Sequence, residues 1–561
     1  MLISKIAGSS LLAASLTVAT MSAPAAVQTS ITYETRALTG TDGVLGPGLG
    51  AGVYFSNFNF STPVINNSGQ TAFRGHLTGT GVGGGNSFGI WSEGRGAGLS
   101  LVARAGDAAP FAGTDIVFNG LTEPILNDGG QTLILGNFIG TGVDAMNDIG
   151  VWLDTGSGLT LVAREGDAAP GTPAGVNFGS FSTLPFPDYA LNDGGQVALT
   201  GSLAGTGVTS TNNFGIWSQG GGTGLELIAR KGDAVPGMGG GVTFSTFSDR
   251  VRFNSAGQVA FSGRFAGPGV NRFNDYGVWS GTGGIGLRLV ARSGDAAPGT
   301  DTGVTFNAFR VPALNDAGQI AFLGGVSGPG VTISEDEGIW SERSGSGLVL
   351  IAREGDPAPG TAPGVNFLAL ESPVINATGD IAFESFLAGT GVTGSNNHGI
   401  WTEGGGSGLK LIARTGEDAP GTPAGVTFRD FVRPMINGAG QTAFIGSIEG
   451  PGLTIGDNRG IWATDREGVL QLIVRSGDVI DVNADPLIED LRTLSSLSII
   501  PGSGNEDGDG SSFNDLGQLV FRAEFTDGSE GIIVSNRVAV PEPGSLVALT
   551  LSGFLILRRR R

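Results

Sequence analysis

Six charged residues stand at one recurring place in successive copies of a repeated sequence, four or five positions before an asparagine that marks each copy. They are Glu123, Asp188, Arg250, Arg310, Glu371 and Arg433. Charge varies here from copy to copy while the neighbouring sequence repeats, so we expect a specific ligand site at this place. If the first strand of each repeat is innermost, these side chains surround one mouth of a central channel. The alternative is a channel that holds only solvent.

A second candidate site is an acidic stretch near the end of the chain, where Asn505, Asp507 and Asp509 alternate with other residues and Gly510 follows. Alternating oxygen ligands followed by glycine are typical of loops that gather carboxylates around calcium. The bidentate glutamate of an EF-hand is missing, because Leu516 stands at its position. Two interpretations stay open, a calcium site of another kind and a solvated acidic turn.

Enzyme signatures are absent. The chain has no cysteine and only two histidines, and it contains no nucleophile elbow or phosphate loop. We therefore expect that the protein is not an enzyme and needs no cofactor apart from a possible calcium ion. The alternative is an extracellular carbohydrate-active enzyme, a glycoside hydrolase or lyase, in which Glu123, Asp188 and Glu371 converge at the channel mouth.

Composition narrows the class of partner. The formal net charge of −20 repels nucleic acid and anionic lipid. Glycine supplies 101 of 561 residues and proline 26, whereas hydrophobic residues still reach 40%. A large core is therefore available, and the excess glycine indicates many tight turns between short strands.

The elements that must position these residues follow a repeat of about 61 residues. Its clearest marker is a tryptophan after Gly-Ile or Gly-Val, at Trp91, Trp152, Trp217, Trp279, Trp340, Trp401 and Trp462. An Asn-x-x-Gly turn precedes each tryptophan by about 25 residues, and an eighth copy of this turn begins at Asn514. Such a regular period indicates a solenoid, a propeller or an array.

Each repeat contains four short strand patterns and no helical periodicity, which favours an all-β propeller over residues 27–538. The eighth copy lacks its fourth strand, and residues 31–36 near the start of the chain have the pattern of that missing strand. Joining the two ends removes a free sheet edge. We predict about eight four-stranded blades, with seven blades or an open repeat array as alternatives.

The two ends of the chain resemble sorting signals, and we do not expect them to be part of the folded propeller. Residues 1–26 carry Lys5, an apolar stretch and small residues at 23–26, which predicts a secretory signal peptide. At the other end, residues 539–561 contain twelve mostly apolar residues, 546–557, which are short for a membrane span. Short polar and charged elements flank this apolar segment, at Pro541, Glu542, Pro543, Arg558, Arg559, Arg560 and Arg561.

This order of Pro-Glu-Pro, apolar tail and arginine cluster resembles the PEP-CTERM sorting signal. The resemblance implies export, a short transmembrane helix that anchors the chain transiently in the inner membrane, and processing by an exosortase-like enzyme. It also implies association with extracellular polysaccharide at the cell surface or in the extracellular matrix.

The repeats resemble a second group, the bacterial surface proteins with tandem Asn-x-x-Gly-x-x-Ala-Phe repeats. The copies that begin at Asn66, Asn315 and Asn437 match this pattern fully. Together these observations predict an exported, surface-sorted repeat protein that acts as a structural or ligand-binding module, without identifying its ligand.

Overall fold

The computed structural model describes residues 31–536 except for 42, 60, 97, 111–112, 114, 182–188, 223, 249, 283–285, 344, 346, 407, 455, 486 and 505. The expected signal peptide, residues 1–26, and the expected sorting segment, residues 539–561, therefore lie outside the described residues. Within the described ranges, no helix has the length and apolarity that are needed to cross a membrane.

The described chain is built from β-strands, apart from one turn of 3-10 helix at Gly43–Leu45. It begins with β1 (Tyr33–Leu38). The first blade contains β2 (Val53–Asn57), β3 (Val64–Ile65), β4 (Thr71–Gly79), β5 (Phe88–Ser92) and β6 (Ser100–Arg104). The second contains β7 (Ile116–Leu121), β8 (Ile125–Leu126), β9 (Thr132–Gly140), β10 (Ile149–Asp154) and β11 (Leu159–Arg164). The third contains β12 (Val176–Phe178), β13 (Tyr189–Leu191), β14 (Val197–Gly205), β15 (Phe214–Ser218) and β16 (Glu226–Arg230).

The same arrangement continues through the middle of the chain. The fourth blade contains β17 (Thr243–Phe247), β18 (Arg252–Phe253), β19 (Val259–Ala266), β20 (Tyr276–Gly281) and β21 (Arg288–Arg292). The fifth contains β22 (Thr305–Phe309), β23 (Ala313–Leu314), β24 (Ile320–Ser327), β25 (Glu337–Ser341) and β26 (Val349–Arg353). The sixth contains β27 (Val365–Leu370), β28 (Val374–Ile375), β29 (Ile381–Gly389), β30 (His398–Thr402) and β31 (Lys410–Arg414).

The last two blades differ in detail. The seventh contains β32 (Thr427–Ile436), β33 (Thr442–Glu449), β34 (Arg459–Thr464) and β35 (Leu470–Arg475). The eighth contains β36 (Val479–Asp481), β37 (Leu491–Ser498), β38 (Leu519–Phe525) and β39 (Glu530–Ser535). In each of blades one to six, two separate short strands, such as β2 and β3, pair with the same long strand, such as β4. In the seventh blade, the single strand β32 takes the place of both short strands.

The ring closes through β1. This strand pairs antiparallel with β39, with Tyr33 opposite Ser535, so the order in the eighth sheet is β1-β39-β38-β37-β36. The N-terminal strand thus supplies the missing outer strand of the last blade and covers its edge. The prediction of an eight-bladed, all-β propeller closed by its N-terminal strand is confirmed.

The core lies between the blades. The seven tryptophans are fully buried. Trp91 packs edge-on against Phe55 at a ring separation of 4.8 Å, and its Nε1 donates a hydrogen bond to the carbonyl of Pro47 at 3.0 Å. Five of the other tryptophans donate in the same way to a proline of the link before their blade. In these six repeats the link therefore satisfies the polar atom of the ring that it covers. The buried Nε1 of Trp279 has no such partner among the described residues.

The short strands β3, β8, β13, β18, β23 and β28 each lie beside their counterpart in the next blade, so they are innermost. At their ends, the motif asparagines form a closed circle, in which each side-chain amide donates to the backbone carbonyl of the next motif asparagine at 2.8–3.0 Å. The members of this asparagine ring are Asn66, Asn127, Asn192, Asn254, Asn315, Asn376, Asn437 and Asn514. The side chains that were expected only to form turns therefore also join neighbouring blades.

Candidate functional site

An insertion in the eighth blade enters the centre of the propeller. We call residues 500–504 and 506–511 the plug. Its carbonyl oxygens accept backbone hydrogen bonds from innermost strands of three blades, at 2.8 Å from Ile65 to Ser511, 3.0 Å from Leu191 to Gly508 and 2.9 Å from Phe253 to Asp507. These bonds satisfy inward-facing N–H groups that would otherwise be buried without a partner.

The plug lies close to the third and fourth blades at Gly508. This residue has φ +77°, and a Cβ placed there would lie 2.7 Å from the carbonyl oxygen of Phe253 and 2.9 Å from the Cβ of Ala190. A side chain is excluded by the contact and disfavoured by the left-handed backbone. The glycine therefore lets the plug backbone reach the channel wall.

A cavity of about 360 Å³ lies between the plug and the channel wall. Its charged lining consists of Glu123, Arg250, Arg252, Arg310, Arg433, Asp507 and Asp509. The remaining lining is largely apolar, with prolines from four blades at Pro124, Pro312, Pro373 and Pro434 and a fifth in the plug at Pro501. Because proline has no N–H group, the wall offers few backbone donors. The arginines are therefore the main groups that can hold an anion.

The structure brings together most of the residues that the repeat pattern singled out. Glu123, Arg250, Arg310 and Arg433 all line this cavity. Glu371 stands beside them, with its Oε2 3.9 Å from Nη2 of Arg433. Asp188 lies outside the described residues. The ring-like placement follows from the innermost position of the short strands, while ligand binding by these residues stays a prediction.

Two of the arginines already have partners in the plug. Nη1 of Arg252 lies 3.2 Å from Oδ2 of Asp507 and also contacts Asp509, and Nη2 of Arg250 lies 3.6 Å from Oδ2 of Asp509. Burial alone would lower the pKa of Arg252, but the two carboxylates raise it by more than burial lowers it, so the net shift of the pKa is upward. Arg252 stays charged, and the plug neutralises this side of the cavity.

These contacts also describe the candidate calcium ligands. Asp507 and Asp509 face arginines, and Asn505 lies outside the described residues. No group of three acidic or histidine side chains in the described ranges is arranged to hold a metal ion. The calcium site stays a prediction, and the nearest charged groups to these two carboxylates are cations.

Glu123 has an unusual environment within the cavity. Its Oε2 accepts hydrogen bonds from the hydroxyl of Ser61 at 3.3 Å and the backbone N–H of Thr62 at 3.4 Å, and its Oε1 is buried without a partner among the described residues. Burial raises the pKa of Glu123 to about 7, against the opposing effects of Arg74 and the two hydrogen bonds. Near neutral pH this carboxyl is therefore protonated in much of the population.

Beyond the asparagine ring, the inner strands end in acidic side chains. Oδ1 of Asp128 accepts from the backbone N–H of Asn67 at 2.7 Å, and Oδ1 of Asp193 accepts from that of Asp128 at 2.9 Å. The plug contributes Glu506, whose Oε2 accepts from the N–H of Asp316 at 3.4 Å. Burial and the neighbouring negative charges raise the pKa of Asp193 to about 6 and that of Glu506 to about 8. This part of the centre repels anions.

The repeat pattern alone did not single out Arg252 or these acids, although both leave a signal. Arg252 stands two positions before its motif asparagine, where six other copies have an apolar residue, at Val64, Ile125, Ala190, Ala313, Val374 and Met435. A single charge at an apolar repeat position indicates a site. Likewise, aspartate follows the motif asparagine in four copies, at Asp128, Asp193, Asp316 and Asp515.

Comparison with family models identifies the group to which the chain is related. Residues 28–235 and 186–547 match the model of a family of unknown function, DUF7453, and together these ranges include the whole described propeller. The chain belongs to the DUF7453 family. No curated protein matches it.

Solved structures that resemble the DUF7453 propeller are distant. An acylaminoacyl peptidase of Pyrococcus horikoshii is 10% identical with a TM-score of 0.33, over 74% of this chain and 53% of its own. A Trypanosoma rangeli sialidase in complex with sialic acid is 10% identical with a TM-score of 0.26, over 88% and 60%. A GH43 β-1,3-galactosidase is 10% identical with a TM-score of 0.23, over 51% and 90%. The chain spans just over half the length of the peptidase. At these values the likenesses give no substrate or catalytic residue for the DUF7453 chain.

The expectation that the protein is not an enzyme is nevertheless wrong, because the matched structures include a sialidase and a galactosidase. The physical reason is that a propeller assembles its central site from side chains of several blades, which are far apart in sequence. A missing local motif therefore does not exclude catalysis on this architecture.

Proposed function

We propose that the DUF7453 propeller is a ligand-binding module that takes a small anionic ligand in the cavity beside the plug. The observation that carries the proposal is the convergence of Arg310 and Arg433 on a cavity whose other two arginines are already paired. Arg310 makes no salt bridge within the described ranges, and the side chain of Arg433 is 58% exposed. Guanidinium groups bind carboxylates with charge-assisted, often bidentate hydrogen bonds.

The setting of this module is part of the same proposal. The signal-peptide pattern and the PEP-CTERM-like end support an exported protein that is processed by an exosortase-like enzyme and sorted to the cell surface or extracellular matrix. In that setting, acidic sugars of extracellular polysaccharide are ligands with the right charge. The cavity volume lies at the small end of the range of ligand pockets, so one acidic sugar unit or a carboxylate of similar size would fill it.

The test is a calorimetric titration of the purified protein with two carboxylates and with their neutral counterparts. Glucuronate and benzoate should bind, and glucose and benzyl alcohol should not. Arg310→Gln and Arg433→Gln should each weaken carboxylate binding by about tenfold. Arg272→Gln is the matched control, because Arg272 is exposed on an outer loop and packs over Phe273. Equal binding by all four proteins would contradict the proposal.

The second candidate function is glycoside hydrolysis or lyase chemistry at the same place. The observation that favours it is Glu123, a carboxyl with a pKa of about 7 in a cavity that also contains Asp507 and Asp509. A protonated carboxyl opposite an ionised one is the arrangement by which many glycosidases act. Release of product from acidic oligosaccharides by the wild type, and its loss in Glu123→Gln, would support this function. Binding without product formation would contradict it.

A further inference from the structure

We infer that the plug determines which anions the cavity accepts: ligands with one negative charge bind, and ligands with two are rejected. This inference rests on the proposed function and defines its ligand class. It assigns Asp507 and Asp509 a role in specificity.

The first step is that the plug is held in place. Three of its carbonyls pair with innermost strands of the first, third and fourth blades. Directly after the plug, the hydroxyl of Ser512 donates to the carbonyl of Pro63 at 2.8 Å. These bonds attach the loop to three separate blades, so its carboxylates are preorganised beside the arginines rather than displaced by an arriving ligand.

The second step is that the plug carboxylates occupy the positions that a second anionic group would need. Asp507 is 3% exposed, and its carboxylate lies against Arg252. Asp509 contacts both Arg252 and Arg250. Another carboxylate on this side would meet two like charges in a partly dehydrated space, which is unfavourable.

The third step is the charge balance of the cavity and its rim. Arg250 and Arg252 face Asp507 and Asp509 of the plug. At the rim, Glu371 lies 3.9 Å from Arg433. Burial raises the pKa of Glu337 and the charge of Arg310 opposes this rise, without a salt bridge between the two among the described residues. The least neutralised positive charge therefore lies on the side of Arg310 and Arg433. Glu123 adds no full negative charge at or below neutral pH, because burial raises its pKa to about 7.

The fourth step concerns the wall between the charged groups. Pro124, Pro312, Pro373 and Pro434 have no N–H to offer, and Val64, Ile125 and Val374 add apolar surface. A second anionic group would find few backbone donors there. The ligand that fits has one anionic end against Arg310 and Arg433 and a body without further charge.

The experiment compares benzoate with isophthalate, which has the same ring and a second carboxylate. In a ligand-observed NMR titration at pH 7, the wild type should bind benzoate at least about tenfold more tightly than isophthalate. Asp509→Asn removes one opposing charge and should reduce this preference about tenfold, mainly by strengthening isophthalate binding. Glu489→Gln is the matched control, since it removes one exposed negative charge from the same blade.

A second variant keeps the test decisive if Asp509→Asn does not fold. Glu371 is 45% exposed at the rim, so Glu371→Gln should fold and should also strengthen isophthalate binding. If benzoate binds but its preference is the same in Asp509→Asn and Glu371→Gln as in the wild type, the inference is wrong and the proposed function survives. If neither probe binds any of the proteins, the proposed function fails and this inference fails with it.

Discussion

The side-chain amide of Asn514 donates a hydrogen bond to the backbone carbonyl of Asn66 at 2.9 Å, although the two residues are 448 positions apart. This bond is the last of the eight in the asparagine ring and joins the final blade to the first. The propeller is thus closed twice, near its axis by Asn514 and at the outer edge of the eighth blade by β1. The central cavity depends on this closure, since its lining comes from blades at both ends of the chain.

Removal of β1 should weaken the whole ring. Deletion of residues 27–40 exposes the edge of β39 and the apolar side chains beneath it, so we expect Tm to fall by at least about 5 °C. Scanning calorimetry of a chain that begins at residue 41, compared with one that begins at residue 27, measures the change. An unchanged Tm would contradict closure through β1.

The asparagine ring should stabilise the fold beyond its turns. Asn315→Ala removes the ring bond to the carbonyl of Asn376 and takes away the side-chain oxygen that accepts from the backbone N–H of Gln319, and we expect a loss of about 1–3 kcal/mol. Asn307→Ala in the same blade is the control, because Asn307 is exposed. Denaturant unfolding of both variants measures the difference. Equal stability would show that the ring bonds contribute nothing.

Stability should fall as pH rises through the range from about 4.5 to 8. Glu506 has an ordinary pKa near 4.5 when unfolded, whereas in the folded protein burial and neighbouring carboxylates raise it to about 8. Between these values the folded state holds a proton that the unfolded state has released, so a rise in pH favours unfolding. Glu506→Gln mimics the protonated form and should raise stability at pH 8, on the order of 2 kcal/mol, with little effect at pH 4.5. A gain of the same size at both pH values would contradict this assignment.

Ligand binding should depend on pH through Glu123. Its pKa is about 7, so a rise from pH 6 to pH 8 adds a negative charge to the cavity and should weaken benzoate binding severalfold. Glu123→Gln should bind benzoate with nearly the same affinity at both pH values. Calorimetry at pH 6 and 8 measures both proteins, and an equally steep pH dependence in the variant would exclude Glu123 as its source.

The architecture could be predicted from the sequence because the same pattern of strands and turns recurs in every repeat. Seven tryptophans at a nearly constant period define the blades, and the pattern at residues 31–36 identifies β1 as the missing strand. The charged positions before the motif asparagine were also predictable, because innermost strands of a ring must bring equivalent positions together. Glu123, Arg250, Arg310 and Arg433 accordingly line one cavity.

The plug was not predictable in the same way, because it occurs once. Alternating acids in residues 505–510 match a calcium loop as well as an internal partner for arginine, and only the fold brings Asp507 beside Arg252, 255 positions earlier. The circular pairing of the asparagines was also missed. An asparagine that only forms a turn and one that also bonds to the next blade have the same local sequence. The bond to the next blade becomes apparent only when the ring is closed.

The central claim is that an anion binds at Arg310 and Arg433 beside the plug. Crystals soaked with 4-bromobenzoate test it most directly, since the anomalous signal of bromine locates the ligand without prior assumptions. We predict one bromine peak in the cavity, with the carboxylate within hydrogen-bonding distance of both guanidinium groups. A ligand bound elsewhere on the propeller, or an empty cavity at saturating concentration, would contradict the claim.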